Sequence, residues 1–187
     1  AISTVFKALK SLKDKDLVYL EKNLAETAED LKQYAGDMEV SCFDSTRYYV
    51  QRADNHIISM RHNWSSNTGA AHPMTVVSGY NFSTETGAML SLTDVVTDTA
   101  QIKEMVKKEL SEQYIDYLFE EWESLYAEME IDRRNWTMDY DGLTFYFSPY
   151  ELSVYAAGVL TIDIDFAEAP ELFRKIYITA PEQGSAS

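Results

Sequence analysis

The chain has 187 residues, 45% of them hydrophobic and 13% aromatic, enough for one core of ordinary size. Lys and Arg number 16 against 31 Asp and Glu, a formal net charge of -15, which argues against nucleic acid as a partner because phosphate binding needs concentrated positive charge. No apolar run approaches the roughly 20 residues of a membrane helix, and the lone cysteine, Cys42, excludes an intrachain disulfide or a CxxC metal or redox site.

In chain order, Ile2, Val5, Phe6, Leu9 and Leu12, then Leu17, Leu20, Leu24, Leu31 and Tyr34, recur at helical spacing. They predict an N-terminal helical segment over residues 1–36, packed through one face on a sheet. The Lys13–Asp16 run is expected to break it into two helices, and Gly36 to cap it, since a left-handed residue costs glycine nothing. Met38 to Arg52 turns to β-branched and aromatic residues with partial alternation at Val40, Cys42, Tyr48 and Val50, followed by turn chemistry at Ala53-Asp54-Asn55. His56 to Trp64 alternates again, with Ile58, Met60 and His62 on one face and Ile57, Ser59 and Arg61 on the other.

The stretch from Trp64 to Val96 holds a Gly69–Pro73 turn, a β-branched run, a second turn at Thr84–Gly87 and a short apolar strand ending in an acidic cap. Asp94, Asp98 and Thr99 are the N-cap candidates for a long helical segment over 99–130, in which Ile102, Val106, Leu110, Tyr114, Leu118 and Trp122 recur every four residues, with room for a break near Ser111–Tyr114. Asn135–Met138 and Leu143–Phe147 read as a hairpin about Asp141-Gly142, whose turn residues should have positive φ. Tyr150–Gly158 reads as a helical turn or bulged loop, Val159–Phe166 as a strand with Asp163 and Asp165 on its solvent face, and Ala167–Arg174 as a short helix started at Pro170. The predicted fold class is α+β: an antiparallel twisted sheet covered by N-terminal helices and the long central helical segment. The α+β domain is placed at 37–178, with a flexible tail at 179–187.

Candidate chemistry is sparse. His56, His62 and His72 lack the HxxxH spacing that puts two metal ligands on one helical face, so no metal or cofactor is assigned. His72 stands out because Gly69 and Pro73 fix the backbone around it, and a histidine holding its turn is the first expectation there. No GxSxG elbow and no phosphate-cradling loop is present, and serines near His72 mean little alone, so an enzyme is not the leading reading. Trp64, Tyr80, Tyr140 and Tyr155 are rings that stack on glycan or peptide, and equally rings that pack inside a sheet. The ligand-binding candidates are His72, Trp64, Tyr80 and Tyr155.

Two segments carry a resemblance. The first includes Val50-Gln51-Arg52-Ala53-Asp54, Thr68-Gly69-Ala70-Ala71-His72, Tyr80-Asn81-Phe82 and Leu90-Ser91-Leu92-Thr93-Asp94. The second includes Asp141-Gly142-Leu143-Thr144-Phe145-Tyr146-Phe147, Pro149-Tyr150-Glu151 and Tyr155-Ala156-Ala157-Gly158. Together, over roughly residues 40 to 175, the chain resembles the RsiV-like C-terminal domain of bacterial cell-envelope proteins, found in anti-sigma-V factors and beside polysaccharide deacetylase modules. It departs from the family at Gly69-Ala70-Ala71-His72, where Gly-Gly-Ala-His is usual, and at Ser83, where an Asp is usual.

The resemblance implies an α+β domain outside the membrane, secreted or anchored through an N-terminal segment removed from this chain, which begins at Ala1 without an initiator Met. It also implies a binding or sensor module for a cell-wall glycan or a basic protein such as lysozyme, which the acidic charge would steer toward this surface. The competing expectations are a peptidoglycan-acting envelope enzyme or its accessory domain, and a structural module with no ligand of its own.

Overall fold

The computed structural model describes residues 2–34, 42–69 and 72–178. Among the described residues, six strands form two three-stranded antiparallel sheets where one was expected. In the first sheet β1 (Cys42–Ala53), β2 (Ile57–Thr68) and β3 (Met74–Ser83) lie in the order 1-2-3. In the second, β4 (Trp136–Met138), β5 (Gly142–Phe147) and β6 (Leu160–Asp165) lie in the order 4-5-6. With five α-helices among the described residues, the fold is α+β.

Helix α1 runs unbroken from Ile2 to Tyr34. The Lys13–Asp16 run does not interrupt it: no Gly or Pro falls inside the helix, and Lys13, Asp14 and Lys15 point to solvent, where charges cost little. Leu9 and Leu12 pack with Met60 and Phe82 of the first sheet, as expected, but Leu17 is exposed. The side chains of Ile2, Val5, Phe6, Leu20, Leu24, Leu31 and Tyr34 lie outside the described residues, as do Val40, the Gly36 cap, the Ala70-Ala71 part of the turn, and residues 179–187.

Alternation in β2 is as the sequence predicts, but both faces are covered. Ile58, Met60 and His62 face α1, whereas Ile57, Ser59 and Arg61 face the second sheet. A buried network joins the sheets. The Ser59 hydroxyl donates to Asn81 Oδ1 at 2.6 Å and accepts from Met138 N–H at 2.8 Å, while Asn81 Nδ2 donates to the Trp136 carbonyl at 2.9 Å. Each polar group is thereby satisfied, which is what makes its burial tolerable.

The other face of the second sheet carries the main core. Trp136, Met138, Leu143, Phe145, Phe147, Leu160, Ile162 and Ile164 share that face and meet Ile102, Val106 and Leu110 of α3 (Thr99–Tyr114). Ahead of it comes one turn of helix, α2 (Leu92–Val95), in which Asp94 accepts from the N–H and hydroxyl of Ser91. The predicted apolar strand before it shrinks to a single bridge between Phe82 and Met89. Asp98 caps α3 by accepting from Gln101 N–H at 3.0 Å.

The predicted 99–130 helical segment ends its first piece at Tyr114, resumes as α4 (Trp122–Glu128), and is followed by α5 (Ile131–Arg134). Its four-residue spacing is kept through the gap, but the Tyr117 carbonyl and the Phe119 N–H bond elsewhere. Phe119 N–H donates to Leu152 O and Val154 N–H to Tyr117 O, so tertiary pairing takes the backbone out of the helix.

The β4–β5 hairpin forms where Asp-Gly predicts it, for a different reason. Neither Asp141 nor Gly142 has positive φ. Asp139 instead closes the loop, accepting from the N–H groups of Asp141 and Gly142. Gly142 is required by space: a Cβ there would lie 2.2 Å from Ile164 O. Strand β6 buries Leu160, Ile162 and Ile164 and exposes Asp163 and Asp165, as the alternation predicts.

Candidate functional site

A groove of about 610 Å³ opens where α1, the first sheet and the 148–155 loop meet. Three of the four predicted binding residues, Trp64, His72 and Tyr155, line it together. The His72 ring stacks on Tyr155 with centroids 3.7 Å apart, and its Nε2 lies 3.3 Å from the Tyr150 hydroxyl. His72 is thus a ring in an aromatic cluster first, with Gly69 in the left-handed region at φ 89° just ahead of it. Trp64 forms the far side, its indole N–H donating to Asp44 Oδ1 at 2.6 Å and its ring meeting the edge of Tyr19.

The 148–155 loop supplies two residues that were not among the predicted binding residues, Tyr150 and Glu151. Tyr150 sits at φ 70°, a conformation costing a non-glycine residue of the order of 1–2 kcal/mol. Local bonds hold it: Glu151 N–H donates to Ser148 O, Ser148 N–H to Glu151 Oε2, and Tyr150 N–H to Ser153 O. The Ser148 hydroxyl accepts from the buried Val77 N–H at 3.0 Å, tying the loop to β3. Burial pushes the Glu151 carboxyl above its usual range, and the Ser148 N–H only partly opposes this. The signal in the sequence was the Ser148-Pro149 strand ending followed by an aromatic loop.

Tyr80, the fourth predicted residue, lies apart from the groove. It lines a smaller cavity of about 280 Å³ between α1 and the first sheet, together with Asp16, Thr46 and His62. Trp64 and Val76 are shared by both cavities. Tyr140 is elsewhere again, over the Arg52 guanidinium at 5.4 Å. Beside the smaller cavity Tyr48 stacks on His62 and donates its hydroxyl to Asp16, whose carboxylate is 3.7 Å from His62 Nε2. Thr46 Oγ1 lies 2.5 Å from the same nitrogen. His62 and His72 therefore occupy different cavities, and among the described residues no group of three or more His, Cys, Asp or Glu side chains gathers as a metal site requires.

His62 gives the helix–sheet contact a pH dependence. Burial drives its imidazole pKa down from 6.5, and Asp16 opposes this only in part. The unfolded chain thus takes up the proton first. Stability is complete above about pH 6.5 and falls as pH drops toward the lower folded value. Thermal denaturation at pH 7.5 and pH 5.5 should show that loss, and Asp16→Asn, which removes the opposing charge, should enlarge it. An Asp16→Asn profile parallel to wild type would contradict this assignment.

An α+β domain carrying an open aromatic groove is the class that fold and site define. A family model described as "Protein of unknown function (DUF3298)" matches residues 93–167, from α2 to just past the end of β6. The fold is similar to the crystal structure of a DUF3298 family member from Bacteroides fragilis, 21% identical, with a TM-score of 0.57 over 90% of this chain and 69% of that one. It is also similar to a DUF3298 family protein from Pseudomonas aeruginosa, 13% identical, with a TM-score of 0.55 over 82% of this chain and 72% of that one. No curated protein matches the chain. Among the described residues, no helix is long and apolar enough to cross a membrane.

Proposed function

We propose that this chain is an extracytoplasmic binding or sensor module of a bacterial envelope protein, engaging a cell-wall glycan or a basic protein such as lysozyme through the groove at Trp64, His72, Tyr150 and Tyr155. The observation that carries the reading is the groove itself: aromatic rings gathered from β2, the turn after it and the 148–155 loop, rather than buried in either core. Such rings offer flat apolar area with polar tips at low conformational cost, which suits sugar faces and exposed side chains alike. The resemblance of two segments to RsiV-like C-terminal domains supports the envelope setting. The net charge of -15 supports a cationic partner through long-range steering.

The test is a titration of the purified domain with lysozyme, and separately with soluble peptidoglycan fragments, at low and moderate salt. One of the two should bind. A Trp64→Ala/Tyr155→Ala double variant, confirmed folded by circular dichroism, should lose about tenfold or more in affinity, as removal of two anchor rings does at other interfaces. Absence of binding to both partners at both salt concentrations would overturn the reading.

A further inference from the structure

We propose that the groove contains a cation subsite built for an alkylammonium side chain of the lysine type, with its head at Glu151 and its stem across the aromatic cluster. The inference rests on the binding reading above and names the chemistry that the groove selects.

Three independent observations carry it. The first is charge. Glu26, Asp30 and Glu151 line the groove, and among the described residues no lysine or arginine does. Glu26 is partly balanced by Lys22 at 3.7 Å, an exposed pair of small worth, whereas Glu151 takes part in no ion pair among the described residues. Its carboxylate accepts from Ser148 N–H, and a second positive partner would offset the cost of its half-burial.

The second is the rings. Tyr150 and Tyr155 lie 5.8 Å apart between centroids and His72 stacks on Tyr155, so three rings gather at one end of the groove. Ring faces carry negative quadrupole density and attract an ammonium within about 6 Å of a centroid. The third is the floor. Pro73, Met74 and Val76 supply apolar surface beside the rings, which a four-carbon stem covers while its head stays polar. A neutral sugar would use the rings and leave the Glu151 charge uncompensated. Burial raises the Glu151 carboxyl, and an ammonium beside it would draw it back down.

Cell-wall stem peptides and basic proteins both bear such side chains, so the probes are small. Nα-acetyl-lysine methylamide and its uncharged counterpart, Nα-acetyl-norleucine methylamide, are titrated into the full chain at pH 7.5. The readout is the Trp64 indole N–H resonance, identified by its disappearance in Trp64→Phe. The lysine probe should shift that resonance and bind about tenfold or more tightly than norleucine. Glu151→Gln, which keeps an oxygen for Ser148 N–H while removing the charge, should abolish most of that difference and leave norleucine unaffected. Tyr155→Leu should weaken the lysine probe severalfold.

Equal binding of the two probes, no binding of the lysine probe, or lysine binding indifferent to Glu151→Gln would overturn the cation subsite. A trimer of N-acetylglucosamine, run alongside, separates this failure from that of the broader reading. If the trimer shifts Trp64 while the lysine probe does not, the groove stands and the cation subsite falls. If lysozyme, peptidoglycan fragments, trimer and lysine probe all leave Trp64 unmoved, both fall. A free amino acid and a chain-borne side chain are told apart by repeating the titration with lysine itself and with a tri-lysine peptide.

Discussion

Replacing Arg52 with Met should destabilise the protein by about 3 kcal/mol, since hydrogen bonds to a charged group are worth roughly 1.5–3 kcal/mol each. Arg52 is only 1% exposed. Its Nε donates to Asp54 at 2.6 Å, and one terminal nitrogen donates to Tyr177 O at 2.7 Å and Asp139 O at 3.1 Å. One side chain thus ties β1 to the β4–β5 turn and to the C-terminal segment. A β-bulge puts it there. Between Val50 and Arg52 the register with β2 slips by one residue, so that Arg52 faces Ser59 instead of Ile58. The slip turns the guanidinium from the α1 face to the face of the second sheet.

Methionine fills the stem's volume but leaves two carbonyls without their donor. Urea denaturation should show the loss as a lowered midpoint at unchanged slope. A loss below about 1 kcal/mol would show that the guanidinium's three bonds are replaced by water. The same variant should blunt acid sensitivity. Burial pushes the Asp54 carboxyl up, but the N–H groups of His56 and Ile57 and the Arg52 guanidinium hold it, on balance, below the usual range. Its contribution is therefore present above the ordinary carboxylate value and is lost as pH falls through the depressed one, and Arg52→Met removes part of that window.

Gly79→Ala should cost about 3 kcal/mol or more, at the upper end of overpacking changes. A Cβ at Gly79 would lie 1.7 Å from the Trp136 carbonyl oxygen and 2.6 Å from its carbon, both backbone atoms that cannot swing aside. Strand β4 would have to lift from β3, stretching the Asn81–Trp136 bond and uncovering the fully buried Trp136 ring. Gly158→Ala is the control. Gly158 has φ 69° and ψ -148° but nothing within 4 Å of its added Cβ, so it should lose only the roughly 1–3 kcal/mol of a backbone conformation that L residues rarely adopt. Similar losses in the two variants would show that conformation, and not the approach of the two sheets, sets the requirement at Gly79.

These two positions show where sequence reading reaches and where it stops. The four-residue stripe Ile102, Val106, Leu110 is a local signal, and the helix face it predicts is the one that covers the second sheet. The alternation of Leu160 to Asp165 is equally local and equally legible. Arg52, by contrast, looks like one more charged strand residue, because its burial depends on a one-residue slip and on partners 87 and 125 positions away. Gly79 looks like a weak point in a strand, since the atom that demands it belongs to another sheet.

The site divides the same way. Trp64, His72 and Tyr155 were legible as rings at rigid or exposed positions, and the fold brings them together. Tyr80 has the same chemistry but alternates to the His62 cavity. Glu151 was one acid among 31, and only its half-buried place in the groove sets it apart.

The most direct measurement for the proposed function is a map of amide resonance changes on adding whichever partner binds, lysozyme or peptidoglycan fragment. Changes should concentrate at Trp64–Ser66, His72–Val76, Ser148–Tyr155 and the facing stretch of α1 around Asn23–Asp30. Changes centred on α3 or the exposed face of β6, with the groove silent, would contradict the proposed function.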